Sequence, residues 1–168
     1  MSDRFDLSGR VAVVTGGSRG IGRAVAEGMA AAGAAVVPAA RTGDAVSQVA
    51  RDIREAGGKA HGATVDVADP ESVNALIAET VDAFGGIDIV VNNAGVNPDE
   101  ALGRPEDVSA DGFERTVAVN LQGAFTCAQA AAGHLQASDD GCLINVASVG
   151  GLVGLPRQHP YVASKHGI

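Results

Sequence analysis

A tyrosine and a lysine four residues apart, Tyr161 and Lys165, are the first pair in this chain able to do chemistry together. On a helix, positions four apart share a face and their side chains meet. An ammonium beside a phenol favours the phenolate and brings the group toward the working range of a general acid or base. Hydride transfer to a carbonyl needs such a proton donor. It also needs a hydride carrier, and Thr15-Gly16-Gly17-Ser18-Arg19-Gly20-Ile21-Gly22 has the residue types to hold one. Gly16 permits a sharp turn, Gly20 lets the backbone approach a pyrophosphate, and Gly22 allows close packing of the helix that follows, whose N-terminus offers free N–H groups to phosphates. The spacing is Gly-x-x-x-Gly-x-Gly rather than Gly-x-Gly-x-x-Gly. Its place directly after an apolar strand favours a dinucleotide-binding turn over a plain one.

These residues need elements to position them, and the chain alternates accordingly. Val11–Val14 is a continuous apolar run, as expected for a central parallel strand. Ile21, Val25 and Met29 mark one face of a helix over 21–32 that stops at Gly33. The pattern continues with a strand over 35–40, a helix over 45–56, a strand over 60–65, and a helix capped by Asp69 with Pro70 in its first turn. Ile87–Val91 is a fourth strand and Leu143–Val146 a fifth. Between them Ser109 caps a long helix with Phe113, Val117, Leu121 and Phe125 spaced by four. Strands alternating with helices predict a doubly wound parallel α/β sheet. Pro38 lacks the N–H for a ladder hydrogen bond, so the second strand is expected to fray or end near it.

A length of 168 residues with 46% apolar content suits one domain over 1–168. The net charge of −8 argues against nucleic acid or an anionic membrane as the main partner. Cys127 and Cys142 fall in a helix and a strand expected to be buried, which fits packed, reduced thiols and a cytoplasmic protein. Residues 1–7 carry Asp3, Arg4 and Asp6 and no signal-peptide run, and no apolar stretch is long enough to span a membrane. His61, His134, His159 and His166 lack metal-ligand spacing, so no metal is expected.

Thr-Gly-x-x-x-Gly-Ile-Gly at 15–22, Asn92-Asn93-Ala94-Gly95, Ser148 and Tyr161-x-x-x-Lys165 occur in that order along the chain. Together they resemble the short-chain dehydrogenase/reductase superfamily, in particular its ketoreductase and 3-oxoacyl reductase-like members. The resemblance implies a Rossmann-type sheet and a small carbonyl or alcohol substrate. It implies that Tyr161 exchanges a proton with the substrate oxygen, that Lys165 also holds the nicotinamide ribose, and that Ser148 positions and polarises the carbonyl. Asn120 matches the family's asparagine that anchors a water in a proton relay. Asp66, before Val67, matches an aspartate near the adenine, and Asn93, followed by Ala94 and Gly95, matches the asparagine that braces the sheet beside the cofactor. Substrate contacts are expected from residues 96–99 and from the glycine-rich, apolar segment 149–158. The resemblance further implies a homodimer or homotetramer for the full-length protein, paired through the long helix and the Tyr/Lys helix.

NAD-preferring members usually place an acid at the end of the second strand to accept the ribose 2′-hydroxyl. Here the sequence is Ala39-Ala40-Arg41-Thr42, with no carboxylate to repel a 2′-phosphate and with Arg41 placed to bind one. Arg19 could stack on adenine or add a second positive charge. NADP(H) is therefore expected over NAD(H). Family members continue through the Tyr/Lys helix, two more strands and a substrate-closing segment, whereas this sequence reads three residues past Lys165. The fold is accordingly expected to be C-terminally incomplete, and the 168 residues alone to bind cofactor without turnover. The competing reading is a catalytically silent dinucleotide-binding or scaffold protein. A broken Asn-Ser-Tyr-Lys set would mark it, and here the set is intact.

Overall fold

The computed structural model describes residues 5–168, so Asp3 and Arg4 of the amino-terminal reading lie outside the described residues. The strands are β1 (Val11–Thr15), β2 (Ala35–Ala40), β3 (Lys59–Ala60), β4 (Ala63–Thr64), β5 (Ile89–Asn92) and β6 (Cys142–Asn145). The helices are α1 (Gly20–Ala31), α2 (Gly43–Glu55), α3 (Pro70–Phe84), α4 (Ala110–Val117), α5 (Gly123–Ala137) and α6 (His159–Gly167). Every strand pairing is parallel, in the order β3-β2-β1-β5-β6, with β4 also pairing β2. The chain winds outward from β1 to β3, then returns to the other side of β1 for β5 and β6. The order therefore reverses between β1 and β5, where ligands bind in open α/β sheets.

Side chains alternate across a strand, and that period of two builds two cores. Val13, Val37, Val65 and Val90 pack on one face of the sheet with Val73, Leu76 and Ile77 of α3 and Cys127 and Ala131 of α5. Ala12, Val14, Val36 and Val91 pack on the other with Ala26 and Ala30 of α1 and Val49, Ala50 and Ile53 of α2. Central strands covered on both faces must be apolar throughout, which is why β1 is a continuous buried run. The expected caps are present: Asp69 accepts from the Glu71 N–H at 3.0 Å, and Ser109 accepts from the Gly112 N–H at 3.0 Å. Each contributes about 1 kcal/mol. No helix among the described residues is long and apolar enough to cross a membrane.

Five expectations need correction. β2 does not fray at Pro38 but runs through it, with Pro38 opposite Val14. The carbonyls of Val36 and Ala40 accept from His61 and Val65, so Pro38, at the same parity, faces the outer neighbour. That neighbour is interrupted there: the single strand expected over 60–65 is two short pieces, β3 and β4, broken at His61-Gly62. The missing donor falls where no ladder partner exists. On α1 the buried residues are Gly22, Ala26 and Ala30, one position on from the Ile21, Val25, Met29 stripe, and Ile21 is 68% exposed. The helix packs close to the sheet, so small residues face it.

The long helix behaves similarly. It is α4 and α5 joined by a turn of π-helix, Ala118–Gln122, in which the Gly123 N–H reaches back to the Ala118 carbonyl. Phe113 and Phe125 of the expected stripe are exposed, while Gly112, Thr116, Val119, Asn120, Gly123, Cys127 and Ala131 are buried. Close approach excludes aromatic rings: a Cβ on Gly123 would lie 2.8 Å from Val67 Cγ2. Finally, Cys142 is exposed, because β6 is the outer strand and all four of its residues are exposed; Cys127 is buried as expected.

Candidate active site

At the carboxyl ends of β1, β2 and β5, where the strand order reverses, a cleft of about 640 Å³ opens. Its wall includes Gly16, Ser18, Arg19, Gly20, Ile21, Gly22, Arg41, Asp66, Val67, Asn93, Ala94 and Gly95. Those are the residues expected from sequence to bind or border the cofactor, apart from Tyr161 and Lys165. Gly16 and Gly20 have φ of +66° and +55°, in the left-handed region where a side chain is disfavoured. A Cβ on Gly22 would lie 2.3 Å from the Gly16 carbonyl oxygen and 2.4 Å from Asn93 Nδ2, so turn, helix and β5 end meet only because that position is bare.

The turn is held from beneath. Asn93 Nδ2 donates to the carbonyls of Thr15 (3.0 Å) and Gly16 (3.3 Å). Thr15 Oγ1 accepts from the N–H groups of Asn93 and Ala94, each at 3.1 Å, and donates to the Val91 carbonyl at 3.3 Å. At the mouth, α1 starts with no side-chain cap and no acid in its first turn, leaving N–H groups for an anion. Arg19 and Arg41 are exposed, and among the described residues neither forms a salt bridge. Asp66 accepts from the Ala68 N–H at 3.1 Å, shaping the strand end. Free amides, two unpaired guanidinium groups and a cradle that a Cβ would fill fit a dinucleotide with an anionic backbone.

Tyr161 and Lys165, also assigned to the cofactor from sequence, are not on the wall of this cleft; Gly95 connects the two regions. A Cβ placed on Gly95 would be 3.5 Å from Asn120 Oδ1 and 3.8 Å from Lys165 Nζ. Lys165 is buried, donates to the Val146 carbonyl at 2.7 Å, and stands 5.9 Å from the centroid of the Tyr161 ring. Burial pushes its ammonium below the ordinary lysine range. Ser148 Oγ accepts from the Gly150 N–H at 3.1 Å, in a short 3₁₀ turn over Val149–Gly151. Gly150 lies against Tyr161, since a Cβ there would be 3.3 Å from ring atom Cε1. Asn120, Ser148, Tyr161 and Lys165, read as a set from sequence, thus cluster around Gly95 and Gly150.

The two segments expected to touch substrate are tied together. Asn97 Nδ2 donates to Gln158 Oε1 at 3.0 Å, and the Gly103 N–H donates to the carbonyl of Arg157, whose φ is +60°. Val149, Leu152 and Val153 are exposed there. Sequence reasoning placed Thr15 at the head of the glycine motif but gave it no role, although a hydroxyl closing an apolar strand was the available signal. It missed Ser164, buried between Tyr161 and Asn120. Its only mark was a small polar residue inside the Tyr-x-x-x-Lys helix. Among the described residues no three His, Cys, Asp or Glu side chains are grouped to hold a metal.

Comparison with known proteins identifies the family. Residues 10–168 match the family model for short chain dehydrogenases. The chain is 39% identical over 164 residues to a 2,5-dichloro-2,5-cyclohexadiene-1,4-diol dehydrogenase of Sphingobium indicum, covering 97% of this chain and 64% of that protein. It is 38% identical over 163 residues to a 3-oxoacyl-[acyl-carrier-protein] reductase of Synechocystis, covering 96% and 65%. A crystal structure of a protein from Sinorhizobium meliloti, assigned by its description to the short-chain alcohol dehydrogenase type without an established activity, superposes with a TM-score of 0.90 at 40% identity, covering 97% and 64%. The chain therefore spans just under two thirds of the length of these relatives. With the glycine turn, the cleft and the Tyr/Lys helix arranged in this way, the chain belongs to the short-chain dehydrogenase family.

Proposed function

We propose that the protein is an NADP(H)-dependent oxidoreductase that reduces a ketone or oxidises a secondary alcohol, with Tyr161 as the general acid and base. The observation that carries this reading is the convergence at Gly95, where the nucleotide cleft meets Asn120 and Lys165, with Tyr161 next to the lysine. The bound cofactor supplies or accepts a hydride. Tyr161 gives its hydroxyl proton to the substrate oxygen in reduction and takes it back in oxidation. Lys165 brings positive charge to the place where oxygen charge develops. Ser148 has its oxygen occupied by the Gly150 N–H, so its own proton is free for the substrate oxygen. Arg41, with no acid partner and with Ala40 beside it, supports a preference for the 2′-phosphate of NADP(H). The relatives' named substrates, a cyclic diol and a 3-oxoacyl group, frame the substrate class. A homodimer or homotetramer in the cytoplasm is the accompanying assignment.

NADPH oxidation with acetoacetyl-CoA and with cyclohexanone tests the proposal. Tyr161→Phe keeps the ring packed but removes the proton, so turnover should fall by about 10²–10⁴ while NADPH affinity stays within about twofold. Turnover in the variant within a few-fold of the parent overturns the tyrosine's role. NADPH binding without turnover in the full-length parent points instead to the silent dinucleotide-binding reading.

A further inference from the structure

Ser164 has no part in the chemistry assigned above, yet it is fully buried and both of its hydrogen-bonding directions are used. Its partners are what make it informative. Asn120 has its amide orientation set by one backbone residue: the Val96 N–H donates to Oδ1 at 2.7 Å, and Nδ2 donates to the Val96 carbonyl at 2.9 Å. A flipped amide would set donor against donor, so the assignment of nitrogen and oxygen is fixed by the backbone. The second Nδ2 hydrogen goes to Ser164 Oγ at 3.1 Å. Because that nitrogen can only donate, Ser164 must accept, and its own proton goes to the Tyr161 carbonyl at 2.7 Å. The result is a one-way chain from Asn120 through Ser164 to the backbone of the residue that carries the phenol.

We infer that Ser164 is a positioning residue, which locks the first turn of α6, and with it Tyr161 and Lys165, to Asn120 in the π-helical turn. Among the described residues this is the one hydrogen bond between α6 and that turn. On the other side α6 is pressed against the Val149–Gly151 turn: a Cβ on Gly151 would lie 2.5 Å from the Lys165 carbonyl oxygen. Steric contact holds α6 on both sides, since a Cβ on Gly167 would lie 2.8 Å from Leu121 Cδ2 of the π-helical turn, and the serine adds a directional bond on that second side. Removing the hydroxyl leaves a buried N–H of Asn120 without a partner and breaks its link to the Tyr161 carbonyl. A displacement of about an ångström at reacting groups costs up to roughly a hundredfold in rate. The wall of the nucleotide cleft includes neither Ser164 nor the Tyr161 and Lys165 that it positions, so cofactor affinity should change far less than kcat.

This inference rests on the roles proposed above for Asn120, Tyr161 and Lys165, and the test separates the two failures. Ser164→Ala, Asn120→Ala and the double variant are compared in the full-length protein with NADPH and acetoacetyl-CoA. Ser164→Ala should lower kcat about ten- to a hundredfold with NADPH affinity within about twofold, and should cost less than about twofold more once Asn120 is already alanine. Independently of turnover, hydrogen exchange of the Asn120 side-chain amide, followed by NMR, should speed up about tenfold or more in Ser164→Ala. Ser164→Cys, close in volume and weaker as donor and acceptor, carries the same comparison if the alanine variant does not fold. A kcat within about twofold of the parent, losses that multiply in the double variant, or unchanged amide exchange overturns the inference. If Tyr161→Phe abolishes turnover while Ser164→Ala does not, only the positioning role fails. If Tyr161→Phe retains turnover, the proposed function fails, and the exchange measurement still decides the hydrogen-bond chain.

Discussion

Two glycines of the same helix give the sharpest test of how the cofactor cleft is built. Gly22 and Gly28 both lie in α1, and neither has a positive φ, so alanine suits the backbone at each. They differ only in surroundings. At Gly22 a Cβ would sit 2.3 Å from the Gly16 carbonyl oxygen, 2.4 Å from Asn93 Nδ2 and 2.8 Å from the Gly16 carbonyl carbon, whereas at Gly28 it would meet nothing within 4 Å. Reaching an ordinary contact at Gly22 requires about an ångström of movement by the turn or by the helix. Overpacking of this kind costs about 1–3 kcal/mol, against about 1 kcal/mol gained in helix propensity. The same movement carries the α1 N–H groups away from the phosphates. Losing one charge-assisted hydrogen bond of about 1.5–3 kcal/mol weakens NADPH binding roughly ten- to a hundredfold. Gly28→Ala should instead stabilise the fold by about 0.5–1 kcal/mol and leave affinity alone. Urea unfolding followed by circular dichroism, together with fluorescence titration of NADPH, reads both quantities. Equal affinity for the two variants would refute the close-approach argument.

Arg41→Ala and Ala40→Asp should each weaken NADPH binding about tenfold or more while changing NADH binding far less, and a parent protein that already prefers NADH contradicts the assignment. Asp88 gives a pH-dependent prediction. Burial alone would raise its pKa, but the Ser138 hydroxyl, the Val11 N–H and the Arg10 guanidinium together hold its carboxyl below the ordinary carboxylate range. With the folded pKa below the unfolded value of about 3.9, the stabilisation is complete above that value and is lost as pH falls through the folded one. Urea midpoints should therefore drop less steeply on acidification in Asp88→Asn than in the parent, and parallel slopes would show that this carboxylate is not responsible.

Much of the site was legible because each residue type had a local reason to be where it is. A glycine turn after an apolar run, and a tyrosine and lysine on one helical face, follow from covalent geometry and period alone. What could not be read was the distance between layers. Ile21, Phe113 and Phe125 are apolar and correctly spaced for a helix, yet they are exposed because α1 and α5 approach the sheet, and α4 the Glu100 carbonyl at Gly112, too closely for large side chains. Alanine and glycine take the buried line, and they carry little weight in a hydrophobic pattern. Pro38 misled for a related reason, since its cost depends on the neighbouring strand, and His61-Gly62 opens a gap at the same level. Ser164 matters only through Asn120, forty-four residues away, a pairing with no trace in local spacing.

The π-helical turn at Ala118–Gln122 also sets the phase of everything after it. A bond from residue 123 back to 118 accommodates one residue more than an α-helical path would use. Each residue advances an α-helix by about 100°, so deleting one here would rotate α5 by nearly a third of a turn relative to α4. Gly123, Cys127 and Ala131 would swing off the sheet, and larger neighbours such as Phe125 would be driven toward it. Keeping α5 on the sheet and keeping Asn120 beside Val96 and Ser164 are therefore a single requirement on chain length. Point substitutions can leave that count intact, whereas an insertion or deletion between the two helices disturbs the core and the site at once.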